Sequence, residues 1–485
     1  MDYESSSDIS FGSDQDDRSS LRGSPTLQRS STLTSYSRLF QHLAYKTLPF
    51  IILYLTLFLI KNIAIFYFRD HKDITLASTI GVGFSIINIL SIFPLTALNN
   101  GFTAGILSNF KVQNFRSAGI LIHKTILIKL LLMIPCAVVL FFSDKLCLLL
   151  GFESQLLSHL RIFVPYCLPG LFLFMISSTL TCYLNVFNII LAPTIIQIIA
   201  TGTFWAISLI LVCHFEWGVE GIALSFNIMQ AVSLLFLWLF LVLDDPVPNT
   251  FFCFCKDSIE GLWTCFKSYF DAGFVSYFEV IVPEIIYLLA ATLRDEDLAG
   301  LTIAYIFLSL VNVVPVALGD AVYCHVKKSM EENHINKSKR YLKMGLIIMA
   351  IYLVAAEALY YAFAKEIAGF YTMNSNVLET TVNVMMLTLI LLPATSIQTI
   401  LSKGLRSIRK DRMGVFLTLF CHYVIALPLA ICLCFETKIK VYGIVIGYIV
   451  AMYLEALGVL AMYKKIAWRE PQVMSERLIK STVRI

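Results

Sequence analysis

About twelve apolar runs, each of roughly twenty residues, follow one another from Lys46 onward, with short polar breaks between them. Roughly twenty apolar residues are the length that an α-helix needs to cross about 30 Å of hydrocarbon. A helix satisfies its own backbone hydrogen bonds inside a bilayer, so runs of this kind fold as spanning helices. We therefore predict an all-α integral membrane protein. The predicted spans cover residues 45–68, 75–106, 119–142, 155–185, 191–213, 218–242, 268–293, 298–326, 341–363, 375–402, 413–435 and 441–463.

The composition agrees with a membrane location and excludes other classes of protein. Hydrophobic residues make up 58% of the 485 residues and charged residues 14%, so the chain is more apolar than a soluble globular protein. The formal net charge of +4 is too small for a nucleic-acid-binding protein, and the basic residues are dispersed over the loops. The twelve cysteines are scattered, so neither a disulfide framework nor a metal site is expected.

Two ordered matches, each at an offset of about 220 residues, relate the two halves of the chain. FPLTALNNGFTAGIL, from Phe93, resembles VPVALGDAVYCH, from Val314, in its proline and in the Leu-polar-polar step that follows. GVEGIAL resembles KVYGIVI, and Gly221 and Gly443 each open a helix in these stretches. Because many secondary transporters contain two related halves, we predict two pseudo-symmetric lobes of six helices each.

The tails and the central linker complete the predicted organisation. The first forty residues are rich in Ser, Asp and Arg and cannot bury enough apolar surface to fold alone. The predicted parts are a disordered cytoplasmic tail at 1–44, an N-lobe at 45–242, a cytoplasmic linker at 243–267, a C-lobe at 268–465 and a cytoplasmic C-terminal tail at 466–485.

Lysine and arginine residues predict the orientation in the membrane. They concentrate in the loops after the second, eighth and tenth spans and in the C-terminal tail, whereas the opposite loops hold few. Because cytoplasmic loops carry an excess of positive charge, both termini are expected to be cytoplasmic. The sequence leaves open whether the membrane is the plasma membrane or an endomembrane such as that of a vacuole.

The seventh span, SYFEVIVPEIIYLLAATL, carries two carboxylates, Glu279 and Glu284. A charge at mid-membrane costs at least about 2 kcal/mol, so a carboxylate there normally faces a cavity or a partner and marks an ion or substrate path. Pro283 cannot donate a hydrogen bond to the carbonyl of Glu279, which predicts a kink at that point. Burial favours the protonated form of a carboxyl, so Glu279 is expected to exchange a proton near physiological pH.

Other polar side chains within the spans are weaker candidates. Tyr305 and Asn312 are expected to line a cavity, since aromatic and amide groups suit flat organic cations. Lys129 either extends toward a lipid headgroup or pairs locally. His422 is either a packed, hydrogen-bonded histidine or a proton relay. Glu455 is either a structural residue or part of the coupling machinery.

The order of several motifs resembles the multidrug and toxic compound extrusion (MATE) transporters, in their eukaryotic branch, over residues 45–465. The most specific motif is EVIVPE, because family members carry two glutamates at this spacing in the seventh helix. LRIFVPYCLPGLFLF, GVEGIAL, GLRSIRKDRMGV and YVIALPLAI support it. The resemblance implies an alternating-access antiporter that exports organic cations or xenobiotics in exchange for protons, with Glu279, Glu284 and Pro283 at the proton or cation site.

The chain departs from the family pattern at several positions. At the end of the second helix it reads LNNGFTAG, so that Asn99 and Asn100 stand where the family usually has Asp-Thr. We keep both asparagines as candidate binding residues. Ile306 and Thr395 replace carboxylates that many eukaryotic members carry in the eighth and tenth helices. The substrate range and the coupling stoichiometry therefore stay open.

Two other functions remain as alternatives. A flippase for lipid-linked substrates, from the wider superfamily, would need a strongly cationic cavity. A membrane-embedded acyltransferase would need a catalytic partner for its histidine. The expected partners are small organic cations, H⁺ or Na⁺ and the bilayer, and the protein is expected to be a monomer. No cofactor is expected beyond a proton or sodium gradient.

Overall fold

The computed structural model describes residues 25–465, except for residues 70–72, 112, 188, 245, 247–249, 251–253, 333 and 409–411. Residues 1–24 of the predicted N-terminal tail and the whole predicted C-terminal tail, residues 466–485, lie outside the described residues. Every regular element between these limits is helical, and no described residue lies in a strand. The first helix begins at Pro25, so the described part of the segment predicted as disordered, residues 25–44, is helical instead. Leu43 is completely buried, which ties this helix to the protein core.

Twelve spans follow one another, which confirms the predicted fold class. Eleven described helices are long and apolar enough to cross a membrane alone, and a bent pair forms the twelfth span. The spans are α1 (Pro25–Phe66), α2 (Thr75–Phe110), α3 (Phe115–Phe141), α4 (Leu168–Val186), α5 (Leu191–His214), α6 (Val219–Asp244), α7 (Leu262–Phe274 and Ser276–Thr292), α8 (Asp295–Met330), α9 (Ile335–Tyr371), α10 (Ser375–Ser407), α11 (Met413–Phe435) and α12 (Val441–Lys465).

Several spans are interrupted. The predicted fourth span is divided at Cys167 into the helix Ser154–Tyr166 and α4, because Pro169 suits the first turn of a new helix. α8 is likewise divided at Asn312. Three spans contain a π-helical turn, a feature that shifts the helix face and is frequent at functional sites. These turns are Asn88–Ile92 in α2, Leu209–His214 in α5 and Phe420–Ala426 in α11.

Helices α1 and α2 make the main contacts between the N-terminal half (α1–α6) and the C-terminal half (α7–α12). α1 packs along α8 and α9, and α2 packs along α7 and the first part of α8. Tyr371 of α9 donates a hydrogen bond to Asn62 of α1 at 3.0 Å. A small cavity of about 220 Å³ lies between the halves near the end of α1 and is lined by Phe68, Ile303 and Val377 among others.

The bend of α7 differs from the predicted one. The two parts of the helix meet at 54° between Phe274 and Ser276, before Glu279 and well before Pro283. Gly273 stands beside this bend and lies against the backbone of α2. The kink expected at Glu279 is therefore displaced toward the start of α7. Contact with α2, which a local rule cannot foresee, accompanies the bend.

The close approach at Gly273 gives a stability prediction. A methyl group on Gly273 would lie 2.5 Å from the carbonyl oxygen of Ala97, a backbone atom that cannot rotate away. We expect Gly273→Ala to lower the free energy of unfolding by about 1–3 kcal/mol, because overpacking forces the helices apart. Gly202→Ala is the matched control, since nothing lies within 4 Å of its added methyl group. Thermal unfolding in detergent compares the two, and equal melting temperatures would contradict the tight α2–α7 contact.

Candidate functional site

Glu284 on α7 is buried and is held by α2 of the opposite half. Its side chain is only 5% exposed. The Ser85 hydroxyl donates to Oε2 at 2.5 Å, and the Asn88 amide donates to Oε1 at 2.8 Å. Ser85 and Asn88 stand three residues apart on α2, so they share one helix face. Asn88 opens the π-helical turn of α2. One carboxylate therefore joins the two halves.

The two partners of Glu284 suit both protonation states of its carboxyl. The Asn88 amide nitrogen can only donate, so Oε1 must remain an acceptor. A serine hydroxyl can donate or accept, so Ser85 can accept a hydrogen bond from a proton on Oε2. The site can thus take up a proton at Oε2 without losing either contact. Ser85 then has its own hydrogen free for another acceptor.

Aromatic rings stand beside this carboxylate. Tyr305 of α8 lies within electrostatic range of Glu284 and stacks on Tyr287, with ring centroids 5.2 Å apart and planes at 21°. The Tyr287 hydroxyl is 2.6 Å from the Thr302 hydroxyl, which fixes the ring. Tyrosine faces attract organic cations. Tyr305 therefore lies in the electrostatic surroundings of Glu284, and its role in cation binding stays a prediction.

Glu279 has a different environment, because it forms an ion pair with Arg406 at the end of α10. The Glu279 side chain is 11% exposed and that of Arg406 is 39% exposed. A charge-assisted hydrogen bond of this kind is among the stronger polar contacts in proteins. A proton or an organic cation that binds Glu279 must compete with this guanidinium. Of the two glutamates, Glu284 is the one that has no such competitor among the described residues.

A second ion pair lies one helical turn earlier on α10. Lys403 pairs with Asp320 of α8, and the Tyr54 hydroxyl of α1 donates to the other oxygen of Asp320 at 2.6 Å. The end of α10 therefore carries two cations, Lys403 and Arg406, that bind carboxylates of different helices. Sequence reasoning missed both pairs. Their spacing of three residues, which places them on one helix face, is the signal that could have found them.

Asn99 lies inside the N-terminal half, where it accepts a hydrogen bond from Lys129 of α3 at 2.7 Å. The Lys129 ammonium also donates to Thr179 at 2.8 Å and to Ser178 at 3.3 Å. Lys129 is completely buried, so it does not extend toward a headgroup but pairs locally. Its three donors meet three neutral acceptors, the arrangement that suits a charged ammonium.

The remaining predicted site residues form no hydrogen bond with Glu284 in the described part of the chain. Asn100 is exposed and donates to the Ser276 hydroxyl of α7 at 3.0 Å, beside the bend of that helix. Asn312 is half-buried at the break in α8, where its backbone N–H donates to Leu308 at 2.9 Å. Pro283 is half-buried between the two glutamates. Their roles in binding stay predictions.

Asp73, in the loop between α1 and α2, is held by several donors. The Thr75 hydroxyl and backbone N–H donate to one oxygen at 2.5 and 2.9 Å, and His159 Nε2 lies 3.0 Å from the other. Partial burial acts to raise the pKa of Asp73, but the hydrogen bonds from Thr75 and His159 outweigh it and hold the pKa below its usual value.

This shift predicts a pH-dependent stability. Because the pKa of Asp73 is lower in the folded protein, its stabilisation is fully present above the unfolded value, about 4, and is lost as the pH falls through the folded value. We expect Asp73→Asn to lower the melting temperature at pH 7, and this difference to shrink as the pH falls through the folded pKa of Asp73. Asp271→Asn, at an exposed carboxylate, is the control. A difference between variant and wild type that is constant with pH would contradict the role of the Asp73 charge.

A comparison with known families decides the class of the protein. The sequence profile of the MatE family matches residues 42–209 and 272–432. The chain belongs to the MatE family.

Relatives and solved structures of MatE proteins agree. Multidrug and toxin extrusion protein 2 of Oryctolagus cuniculus is 23% identical over 408 residues, covering 83% of this chain and 67% of the relative. Protein DETOXIFICATION 49 of Arabidopsis thaliana is 23% identical over 428 residues, covering 87% and 84%. The crystal structure of the eukaryotic MATE transporter AtDTX14 superimposes with a TM-score of 0.76 at 16% identity, over 90% of this chain and 98% of that one. At such identity, structural likeness shows the fold alone.

These findings confirm the MATE resemblance and the all-α fold of twelve spans. As a MatE-family member, the chain is an integral membrane transporter and not an enzyme, which removes the acyltransferase alternative. The bounds of the two lobes and of the linker, and the roles of the candidate site residues, stay predictions.

Proposed function

We propose that this MatE-family protein is a secondary antiporter that exports organic cations or xenobiotics in exchange for protons by alternating access. The observation that carries the proposal is Glu284, a buried carboxylate whose oxygens bind Ser85 and Asn88 of the opposite half. Among the described residues no lysine or arginine pairs with it. A proton or an organic cation can therefore supply its counter-charge. The names of relatives, multidrug and toxin extrusion proteins, support this class of cargo.

Exchange follows from competition at one carboxyl. A proton on Oε2 neutralises Glu284 and removes the attraction for a cation, whereas a bound cation favours the ionised form. Each ligand therefore lowers the affinity for the other by the same factor. Tyr305, whose ring is backed by the buried Tyr287, adds an aromatic face for the flat part of an organic cation.

The position of Glu284 between the halves links this competition to movement. Its partners belong to α2 and its backbone to α7, so a change of charge alters a contact between the halves. A ligand shifts a conformational equilibrium only by its difference in affinity for the two states. The charge-dependent contacts of Glu284 with Ser85 and Asn88 supply such a difference.

We assign Glu279 to the same pathway as a second carboxylate. Arg406 neutralises it in this structure, so a cation binds Glu279 only where Arg406 moves away. The position of Arg406 at the end of α10 suits such a movement, because its side chain is partly exposed and long. The coupling ion is a proton in this scheme, with Na⁺ as the alternative.

We also infer that both termini face the cytoplasm. The membrane is either the plasma membrane or an endomembrane. Support comes from the lysines and arginines in the loops after α2, α8 and α10. A protease site inserted between α8 and α9 tests this orientation. Cleavage from the opposite face would contradict it.

Reconstituted vesicles test the transport proposal. A fluorescent organic cation should accumulate in the compartment from which protons leave through the protein, and dissipating the pH gradient should release it. Accumulation driven by a Na⁺ gradient alone would make sodium the coupling ion. Movement of a lipid-linked reporter without any ion gradient, together with no cation transport, would favour the flippase alternative and contradict the antiporter.

A further inference from the structure

A second buried carboxylate, Glu455 of α12, lies inside the C-terminal half. It is completely buried. The Gln398 amide of α10 and the Thr418 hydroxyl of α11 both donate to its Oε1, each at 2.6 Å. Its Oε2 has no well-aligned donor. The nearest charged candidate is His422 of α11, whose Nε2 lies 3.3 Å from Oε2. Glu455 is therefore satisfied at one oxygen and open at the other.

The hydrogen bonding of His422 is also incomplete. It is 5% exposed and lies in the π-helical turn of α11. Its Nε2 faces Met452 Sδ at 3.4 Å as well as Glu455, and its Nδ1 has no hydrogen-bond partner among the residues that the structure describes. A buried polar atom without a partner costs about 1–3 kcal/mol, so a purely structural pair would be expected to satisfy it. π-helical turns are frequent at functional sites, and this one carries the histidine of the pair.

In the part of the chain that the structure describes, no basic side chain near this pair neutralises the Glu455 carboxylate, so a shared proton must do so. Among the described residues, no lysine or arginine forms an ion pair with Glu455. The titratable groups that face it are His422 and Cys421 of α11 and Tyr448 of α12. Of the helices that contact α12, α10 contributes the neutral amide of Gln398, and α8 contributes Tyr305, which is within electrostatic range of Tyr448. A net negative charge at this depth is costly, so the pair is neutral only when it shares one proton.

Two tyrosines lie in the electrostatic surroundings of this pair and of Glu284. The Tyr448 ring lies 5.9 Å from the His422 ring, and Tyr448 is within electrostatic range of Glu455. Tyr305 is within electrostatic range of both Tyr448 and Glu284. A tyrosine hydroxyl both donates and accepts hydrogen bonds. The electrostatic surroundings of the His422–Glu455 pair and of Glu284 therefore overlap at Tyr305 and Tyr448.

We propose that His422 and Glu455 form a second proton-binding site, which takes up and releases one proton in each transport cycle in addition to the proton at Glu284. The proton is shared between His422 Nε2 and Glu455 Oε2 when bound. On release it leaves as a proton to water, and no bond other than N–H or O–H forms or breaks. This inference rests on the proposed proton-coupled export.

Coupling stoichiometry tests the inference. With the membrane potential clamped to zero, each coupled proton multiplies the equilibrium accumulation of substrate by about tenfold per pH unit of gradient. We expect about 100-fold per unit for the wild type and about tenfold for Glu455→Gln. His422→Gln, which keeps a hydrogen-bond donor but cannot titrate, should give the same reduced value. A structural role would change the rate but leave this ratio unchanged, and an unchanged ratio in both variants would overturn the proposal.

A spectroscopic titration separates failure of this site from failure of the transport proposal. Infrared difference spectra of the purified wild-type protein between pH 5 and pH 8 should contain a pH-dependent carboxyl band that Glu455→Gln removes and that Glu366→Gln, at an exposed glutamate, retains. If the wild type shows no pH-driven transport, the proposed function fails, yet this band still reports proton binding at Glu455. Identical spectra of the wild type and Glu455→Gln would overturn the second site even if proton-driven transport is observed.

Discussion

Glu284→Gln removes proton-driven export while the protein still folds. Glutamine keeps the length of the side chain, its carbonyl oxygen still accepts from Asn88, and its amide donates to the Ser85 hydroxyl, so the contacts to α2 survive. The variant cannot bind a proton or offer a charge to an organic cation. We expect the rate of pH-driven exchange in vesicles to fall by at least about 100-fold, which corresponds to an increase of about 2.7 kcal/mol in the activation free energy of exchange.

Two further variants make this result specific. Glu284→Asp keeps the charge but withdraws it by one methylene from Ser85 and Asn88, so partial activity with a shifted pH profile is expected. Glu366→Gln, at an exposed glutamate of α9, should leave exchange unchanged. Melting temperatures measured in detergent should show that all three variants fold. A fully active Glu284→Gln protein would place proton coupling elsewhere.

The second large effect concerns the ion pair between Glu279 and Arg406. Arg406→Gln leaves the Glu279 carboxylate largely buried without its cation, and we expect the free energy of unfolding to fall by about 1–3 kcal/mol. Glu279→Gln/Arg406→Gln removes both charges together and should recover part of this loss. The two single variants and the double variant form a double-mutant cycle, measured by thermal unfolding, whose coupling term isolates the pair.

An exposed ion pair provides the reference for that cycle. Lys337 Nζ lies 4.0 Å from Glu332, with both side chains at least 40% exposed. Such surface pairs contribute about 0–1 kcal/mol, so the corresponding cycle should give a much smaller coupling term. Equal coupling terms for the two pairs would contradict a structural role for Arg406. In transport assays, Arg406→Gln should also increase the competition between protons and organic cations at Glu279.

The spans were predictable because length and hydropathy are local properties of the sequence. The same is true of Glu279 and Glu284, since a carboxylate within an apolar run is visible without a structure. Which of the two glutamates lacks a basic partner was not predictable. The difference depends on Arg406, 127 residues from Glu279, and on Ser85, 199 residues from Glu284. A sequence without an alignment contains no signal for such distant pairings.

Helix breaks show the same limit. Pro283 predicts a kink by a local rule, yet α7 bends earlier, where Gly273 meets the backbone of α2. The π-helical turns have no reliable local signature either, and they carry Asn88 and His422, two of the polar residues that contact buried glutamates. These contacts with glutamates become visible only in the three-dimensional structure, where the helices lie side by side.

The buried ammonium of Lys129 has an electrical consequence. Its acceptors, Asn99, Ser178 and Thr179, are all neutral, so in the described part of the chain a protonated Lys129 belongs to the N-terminal half and has no counter-ion. Under the alternating-access proposal, rocking of that half would carry a protonated Lys129 through part of the membrane field, where one elementary charge crossing 100 mV changes its energy by about 2.3 kcal/mol. The balance between the two conformations would then depend on voltage even without substrate. A voltage step applied to substrate-free protein should produce a transient current that Lys129→Gln diminishes.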